Sequence, residues 1–497
     1  MLKSLTLFAT VLLAAAAPGA ACARDADAAP TPAPVYAAEA IRADFDQLYA
    51  GLQAAHYDLF AVTLQTVFDQ RHAEMRAGFD HPMNRLDIQR EFQAFTALAR
   101  HAHARIDFPV DAYSAFRAGD GAVLPFTIAM REGRILVASR ASGVDGLHRG
   151  DEILSFNGQP GAVWVPALTR HLSAETPRLA HTLLESYLRG LVWLEWPDMT
   201  EVTLEVRHTD GTRDTLILPF LSGDALAPPP DEGSAGFSLD SREAGMITDG
   251  IAYLRPGPFY NTRPGENVWD ASHFTAFIDR SFRDFQAAGA HTVIIDLRDN
   301  PGGDNSFSDP MLAWIADRPF RFASQFSVRV SEQTTAANQA RLDSLPEGEG
   351  GMSAVYADLF ARHADGDIVG IDLPLAEPRP AGERFAGAVY VLVNRYSYSN
   401  AVATAALVQD YGFGVVAGET TADMATTYGA MERFALDHTG LSVGYPKAHI
   451  VRPNGEQASH PVTPDLVLDA PALRGADDVV LDTLVAHIRA TQNDVRR

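Results

Sequence analysis

Residues 292–303 read Thr-Val-Ile-Ile-Asp-Leu-Arg-Asp-Asn-Pro-Gly-Gly. The nearly continuous apolar run 292–297 suits a strand buried on both faces, as in a parallel sheet covered by helices. It ends in a turn with two adjacent glycines. Such glycines expose backbone N–H groups, which an oxyanion hole requires, although two glycines also make an ordinary tight turn. Around this stretch strand and helix patterns alternate: strand at 251–254, amphipathic helix at 271–288, helix at 311–316, strand at 326–330. A second buried-strand run follows at 388–393, then a helix at 401–411 and a strand at 414–417. The alternation predicts an α/β domain with helices on a mostly parallel sheet. Residues 334–366 are polar and read as an insertion that can lie over the site.

Toward the N-terminus the period changes. From Ala38 to about Arg105, apolar residues recur at three- and four-residue steps, as in Ile41, Phe45, Leu48, Tyr49 and Leu52, and again in Phe92, Phe95, Leu98 and Ala99. This predicts a helical N-terminal domain over 38–110. From about Val123 strand-like segments take over, and Asn157-Gly158 is a hairpin signal, so residues 115–221 form a β-rich domain with a helical stretch at 162–190. Residues 222–236, rich in Pro, Gly and Ser, read as a linker to the α/β domain at 237–475, and 476–497 as a C-terminal helix.

The 497 residues fit about three domains at roughly 150 residues each. A hydrophobic fraction of 46% is enough for packed cores and excludes wholesale disorder. The net charge of −23 argues against a non-specific nucleic-acid binder, which needs basic surface to replace phosphate counterions. Cys22 is the one cysteine, so one chain builds no disulfide, Cys-based zinc site or iron–sulfur site. It lies in a targeting pattern: Lys3, an apolar stretch 5–17, then Ala21-Cys22-Ala23 as an Ala-x-Ala cleavage site. The expectation is a signal peptide 1–23, a flexible Ala/Pro/Asp-rich leader 24–37, and a periplasmic or secreted protein; lipidation of Cys22 is the alternative. No later stretch reaches the ~18 apolar residues of a membrane span.

Several standard signatures are missing: no Gly-x-Ser-x-Gly, no His-Glu-x-x-His and no Walker loop. Gly412-Phe-Gly mimics a dinucleotide loop but leads from helix into strand, the wrong order for phosphate at a helix N-terminus. The second unusual segment is Val391-Leu-Val-Asn-Arg-Tyr-Ser-Tyr-Ser-Asn400. A serine at a strand-to-helix junction can present its hydroxyl at the positive helix end, although Ser399 read alone is more readily an N-cap.

Five motifs occur in an order that resembles the tail-specific, C-terminal-processing serine peptidases, with their tricorn-core and chlamydial-protease branches. Gly146-Leu-His-Arg-Gly-Asp-Glu-Ile-Leu-Ser-Phe-Asn-Gly158 is similar to the core of a PDZ domain. Residues 292–303 resemble the family's hydrophobic-Asp-Leu-Arg-x-Asn-x-Gly-Gly, and 394–412 its nucleophile segment. Gly418-Glu-Thr-Thr421 and the pair Pro453-Asn-Gly455 with Val462-Thr-Pro-Asp465 are similar to its closing motifs, Pro461 replacing a glycine. The resemblance spans about residues 38–470. It implies a multidomain α/β protein: helical N-terminal domain, PDZ-like β-rich domain, and a catalytic domain of the tail-specific protease (crotonase-like) type.

The resemblance further implies that Ser399 is the nucleophile, with Ser397 as the lesser candidate. The lysine base of most bacterial relatives falls by spacing on Met424, and the chain's lysines are Lys3 and Lys447 alone, so a Ser–Lys dyad is nearly excluded. The other branch takes a histidine from Leu98-Ala-Arg-His-Ala-His103, which makes His103 the expected base and His101 its substitute. An unperturbed imidazole would give activity an ascending pH limb at about 6–7. The third member falls near Gln457 or Ala458, with Glu456 the nearest carboxylate, equally readable as a solvated loop acid. Gly302 or Gly303 with the N–H of Asn400 is the implied oxyanion hole.

The leading expectation is thus an exported serine endopeptidase acting on a protein or peptide substrate, with no metal at the site and no cofactor. An inactive ligand- or peptide-binding protein on the same fold is the alternative, and an esterase with the same nucleophile a third reading. Oligomeric state is not legible.

Overall fold

The computed structural model describes residues 34–229, 241–345 and 350–495. The expected signal peptide and most of the expected leader lie outside these residues, as does much of the expected linker.

The sheet around residues 292–303 is built as the apolar runs require. Strands Ile251–Arg255, Thr292–Asp296, Ala388–Val393, Val415–Gly418 and Leu466–Val467 are parallel neighbours in that order, with Glu243–Thr248 antiparallel at one edge. Side chains alternate between two cores. Val293, Ile295, Val389, Val391 and Val393 point to helices Ser272–Ala287, Asn305–Leu312 and Asn400–Tyr411. Ile294 and Leu392 point to the opposite face, where Leu484 and Ile488 of helix Val479–Val495 cover them. Burial on both faces explains why these strands read as unbroken hydrophobic runs.

A second, antiparallel sheet orders Ile368–Gly370, Gln325–Arg329, Ser442–Val451 and Thr427–Ala435. The polar insertion forms helices Glu332–Asp343 and Gly351–Phe360, whose Tyr356 and Phe360 pack on Phe326, Val328 and Ala448 of this sheet.

The N-terminal helices Ala38–Ala55, Gln65–Gly78 and Arg85–Thr96 form where the periodicity puts them. They do not close a core of their own. Ile41, Phe45, Phe92 and Phe95 share one cluster with Leu441, Val443 and Tyr445 of the second sheet. The buried Asp44 carboxylate accepts N–H groups from His438 (3.0 Å) and Thr439 (2.7 Å), tying the first helix to the hairpin turn. The helical period shows which face is apolar but not which distant segment covers it.

Residues 123–221 keep a separate core. Strands Phe126–Arg131, Arg134–Arg140, Glu152–Phe156, Glu201–Arg207 and Arg213–Pro219 form one antiparallel sheet. Helices Gly161–Thr169 and Pro177–Glu195 pack on it through Trp164, Leu168, Leu184, Leu188 and Leu191. Asn157 (φ 49°) and Gly158 (φ 73°) both take left-handed backbone, as a two-residue hairpin turn demands. The long second helix also reaches the α/β domain: the buried Glu185 bonds Arg131 (2.9 Å) and the hydroxyl of Tyr396.

Candidate active site

The site lies at the carboxyl ends of the two central parallel strands, where Asp296 is level with Leu392. After Asp296 the chain is locked by its own side chains. Arg298 bonds Asp296 and, through its other nitrogens, Asp478 ahead of the C-terminal helix. Asn300 donates to the Gly257 carbonyl (2.7 Å) and accepts from the Gly302 N–H (2.8 Å). Both glycines are sterically required. A Cβ on Gly303 (φ 138°) would sit 2.0 Å from the Phe259 carbonyl oxygen. One on Gly302 (φ 83°) would sit 2.6–2.8 Å from Tyr398 O, Asn400 N and Ser399 Cβ.

Ser399 closes the second strand's loop at φ 51°, ψ −122°, a conformation that costs a non-glycine residue about 1–3 kcal/mol. It stands at the N-cap of helix Asn400–Tyr411, yet its side chain makes no capping hydrogen bond. An ordinary N-cap has extended backbone and spends its hydroxyl on the helix. Here the strain is held by neighbours: Tyr398 N–H on Asn300 O (2.9 Å), Ser399 N–H on Asp423 Oδ2 (2.5 Å), and Ser399 O under Val402 and Ala403. Ser397 is committed to structure, fully buried, donating to Leu297 O (2.8 Å) and accepting from Asn394 N–H (3.1 Å).

His103 reaches Ser399 across 296 residues, its Nε2 lying 3.4 Å from the serine Oγ. A separation of this size is common between a base and its nucleophile before substrate tightens the site. The two-residue strand Arg105–Ile106 clips onto Ser442–Val451, pairing Ile106 with Val443. On the other side Ala102 N–H donates to Glu175 Oε1 (3.0 Å), and Ser173 Oγ bonds both the N–H and the carbonyl of His101.

No carboxylate orients His103 among the described residues. Its Nδ1 is buried without a hydrogen bond of good geometry, and the Tyr428 main chain is the neighbour that favours its charged form. Burial, then the nearby Arg105 guanidinium, push the imidazole down to about 4. This moves the expected titration below the 6–7 of a free histidine. His101 is engaged elsewhere: Nδ1 is 3.2 Å from His56 Nε2, and its ring packs on Tyr428.

The structure does not bring Glu456 to the imidazole. Its half-exposed carboxylate lies 3.5 Å from Arg452, four residues back on the same loop. Proximity in the loop pattern made it the nearest acid in sequence, but the chain turns it outward. Lys447 is likewise committed: buried, it bonds Glu432 (2.6 Å) and sits over the Tyr356 ring. Met424, at the lysine position, is buried.

Two carboxylates missed by sequence reasoning flank the pair. Asp423 is fully buried and takes the N–H groups of Ser399 and Met424. Glu175 holds the His103 loop, and its Oε2 is buried without a partner. Burial raises both, and for Glu175 the Asp423 charge adds to the rise. Asp423 had a signal, since it adjoins the position where relatives carry the lysine. Glu175, just ahead of a helix N-cap, had none.

The N–H inventory separates the oxyanion candidates. Gly302 N–H is spent on Asn300. Gly303 N–H and Asn400 N–H meet no protein acceptor among the described residues. Asn400 also opens a helix, whose first N–H groups carry the positive end of the dipole. A strained serine beside a neutral imidazole and two free N–H groups can support acyl transfer.

Residues 251–468 match the model of Peptidase family S41. The chain is therefore a serine-type peptidase. Residues 251–468 are the part of the chain that resembles this family, the tail-specific proteases. Among solved structures it is similar to mature CPAF complexed with lactacystin, with TM-score 0.64 and 15% identity over 92% of this chain and 98% of that one. Mature CPAF gives TM-score 0.60 and 16% identity over 86% and 93%. The photosystem II D1 C-terminal processing protease is also found, with TM-score 0.39 and 16% identity over 86% and 93%. No curated protein matches the sequence.

Proposed function

We propose that this peptidase is an exported endopeptidase working through Ser399 and His103. The observation that carries the reading is the strained Ser399, its hydroxyl free of capping and 3.4 Å from His103 Nε2. Ser399 Oγ attacks the substrate carbonyl carbon while His103 Nε2 takes its proton. The oxyanion forms against the N–H groups of Gly303 and Asn400. His103 returns the proton to the leaving amine, the peptide C–N bond breaks, and an acyl-enzyme remains on Ser399. Water, deprotonated by the same imidazole, then releases the acid and restores the serine. The Tyr428 main chain takes the orienting place that an acid holds elsewhere, since fixing a tautomer needs an acceptor, not a charge.

In this reading residues 115–221 are a PDZ-like module, the catalytic domain is crotonase-like, and the chain is cut after Ala23 on export. The supports are the Leu-x-x-Gly-Asp motif with its Asn-Gly turn, the parallel sheet with its two glycines, and the Ala-Cys-Ala sequence.

Labelling with a fluorophosphonate, followed by peptide mass spectrometry, tests the proposal. An adduct on Ser399 that disappears in His103→Ala is expected. An unlabelled Ser399 in folded protein would instead favour the inactive binding protein.

A further inference from the structure

Far from Ser399 in sequence, three potential ligands meet at one end of the antiparallel module. Strand Glu152–Phe156 pairs with Glu201–Arg207 so that Glu152 is opposite Arg207. The next residue outward on each strand is Asp151 on one side and His208 on the other. The tight turn ahead of Asp151 brings His148 back over them, its N–H donating to Asp151 Oδ2 (2.8 Å). His208 Nδ1 lies 3.0 Å and His148 Nδ1 3.7 Å from that same oxygen. One ligand atom from each of the three residues fits within 4.8 Å of the others.

We propose that His148, Asp151 and His208 bind a divalent transition-metal ion of the zinc type, with water in the remaining position. A tetrahedral ion with bonds of about 2.0–2.1 Å keeps its ligand atoms about 3.3–3.4 Å apart. The observed 3.0 and 3.7 Å straddle that spacing. Asp151 is 1% exposed, so its carboxylate is fixed in place, while the exposed His148 ring is free to swing and close the site. Two imidazoles and one carboxylate select zinc-like ions over calcium or magnesium, which take oxygen ligands. Binding through Nδ1 takes the place of the His208–Asp151 hydrogen bond, and the neutral ring then carries its one proton on Nε2, exchanged through solvent, with no net proton lost.

The ion would also stiffen a contact with the catalytic domain. Arg149, between two of the ligands, bonds the carbonyls of Ala138 (3.1 Å) and Arg474. The Arg474 guanidinium in turn holds Asp299 in the loop that leads to Gly302 and Gly303.

The test uses untagged protein stripped by a chelator that is then removed, titrated calorimetrically with ZnCl₂, CaCl₂ and MgCl₂. One Zn²⁺ per chain is expected, with Ca²⁺ and Mg²⁺ binding more weakly. His148→Ala, which removes an exposed ring, should keep its circular dichroism and weaken Zn²⁺ binding by more than about tenfold, because even an outer-shell partner is worth ~10–100-fold. His487→Ala, an exposed histidine on the C-terminal helix, should bind as the parent does. Co²⁺ in place of Zn²⁺ should give the visible absorption of a tetrahedral site with nitrogen and oxygen ligands. The proposal is overturned by absence of stoichiometric Zn²⁺ binding, by unchanged affinity in His148→Ala, or by Ca²⁺ binding as tightly as Zn²⁺.

Discussion

The two halves of the proposed active site are built differently. The nucleophile half comes from two neighbouring parallel strands and the short loops that follow them, 296–303 and 393–400. Local bonds shape its turns, since Asn300 sets its own and Asn394 caps the one that carries Ser397, while Gly257, Phe259, Asp423 and Asp478 brace them from other segments. The base half is assembled from three separate segments, carrying His103, Glu175 and Tyr428. One side of the site is thus carried on two adjoining loops, and the other on segments drawn from distant parts of the chain.

The largest effects test whether the halves work as one unit. Ser399→Ala and His103→Ala should each remove most peptidase activity, and the double variant should be little worse than either, as found for residues that act jointly. Steady-state kinetics on a peptide substrate measures this. Additive losses would break the pair and reopen the role of His101.

Next is the glycine turn. Gly302→Ala places a methyl carbon within 2.7 Å of Asn400 N and 2.8 Å of Ser399 Cβ. The displaced N–H should cost ~10²–10³ in kcat, the size of one oxyanion donor, with a smaller change in KM. A variant with wild-type kcat would remove Asn400 from the oxyanion hole.

These contrasts also account for what was readable in the sequence. The buried runs 292–297 and 388–393 showed the parallel sheet because burial on both faces leaves them no polar positions. Ser399, Gly302 and Gly303 stood out as a strand-to-helix junction and a two-glycine turn, patterns visible within a few residues, although the contacts that hold them come from distant segments. His103 needed the family resemblance, and its partners were not legible at all. In the proposed mechanism Tyr428 acts through its main chain, which no side-chain pattern reveals. Glu175 earns its place only through a long-range contact with Ala102. The helical N-terminal segment was readable as helices but not as part of the hairpin's core, because periodicity names a buried face and not its cover.

A middle-sized effect concerns pH and separates the base from its acidic neighbours. His103 is depressed to about 4, so the neutral base persists well below 6 and the acid limb of kcat/KM should lie nearer 4 than 6–7. Its contribution to stability is full above the unfolded value of about 6.5 and is lost as pH falls through the folded one. Glu175 and Asp423 are raised, so the sign reverses: their contribution is full below the unfolded carboxyl value and is lost as pH rises. Glu175→Gln keeps an acceptor for Ala102 N–H without the charge. It should raise the melting temperature at pH 8 and lose that advantage toward pH 4, by about 1.4 kcal/mol for each pH unit of removed shift. Thermal melts across pH decide it; a Glu175→Gln advantage that grows toward acid would reverse the assignment.

The smallest effects belong to the two residues that sequence order offered and the fold turned elsewhere. Lys447→Ala removes a buried cation, but Glu432 keeps both oxygens on Arg341 at 2.6 Å. The acid is not stripped bare, so the loss should fall below the ~3–5 kcal/mol of a broken buried pair. Folded Lys447→Ala should retain kcat/KM within about threefold, since no transition-state contact is lost. Glu456→Gln should do less still. Its side chain is 41% exposed and meets Arg452 at 3.5 Å, so stability should move by no more than about 0.5 kcal/mol and kcat hardly at all. A carboxylate that orients the imidazole behaves otherwise: replacing it with its amide costs ~10⁴ in kcat by favouring the wrong tautomer. The two outcomes differ by orders of magnitude, so one kinetic comparison of Glu456→Gln with the parent decides whether Glu456 orients the imidazole. A large loss would mean that substrate draws the Glu456 loop inward. A negligible one leaves the Tyr428 main chain as the orienting group.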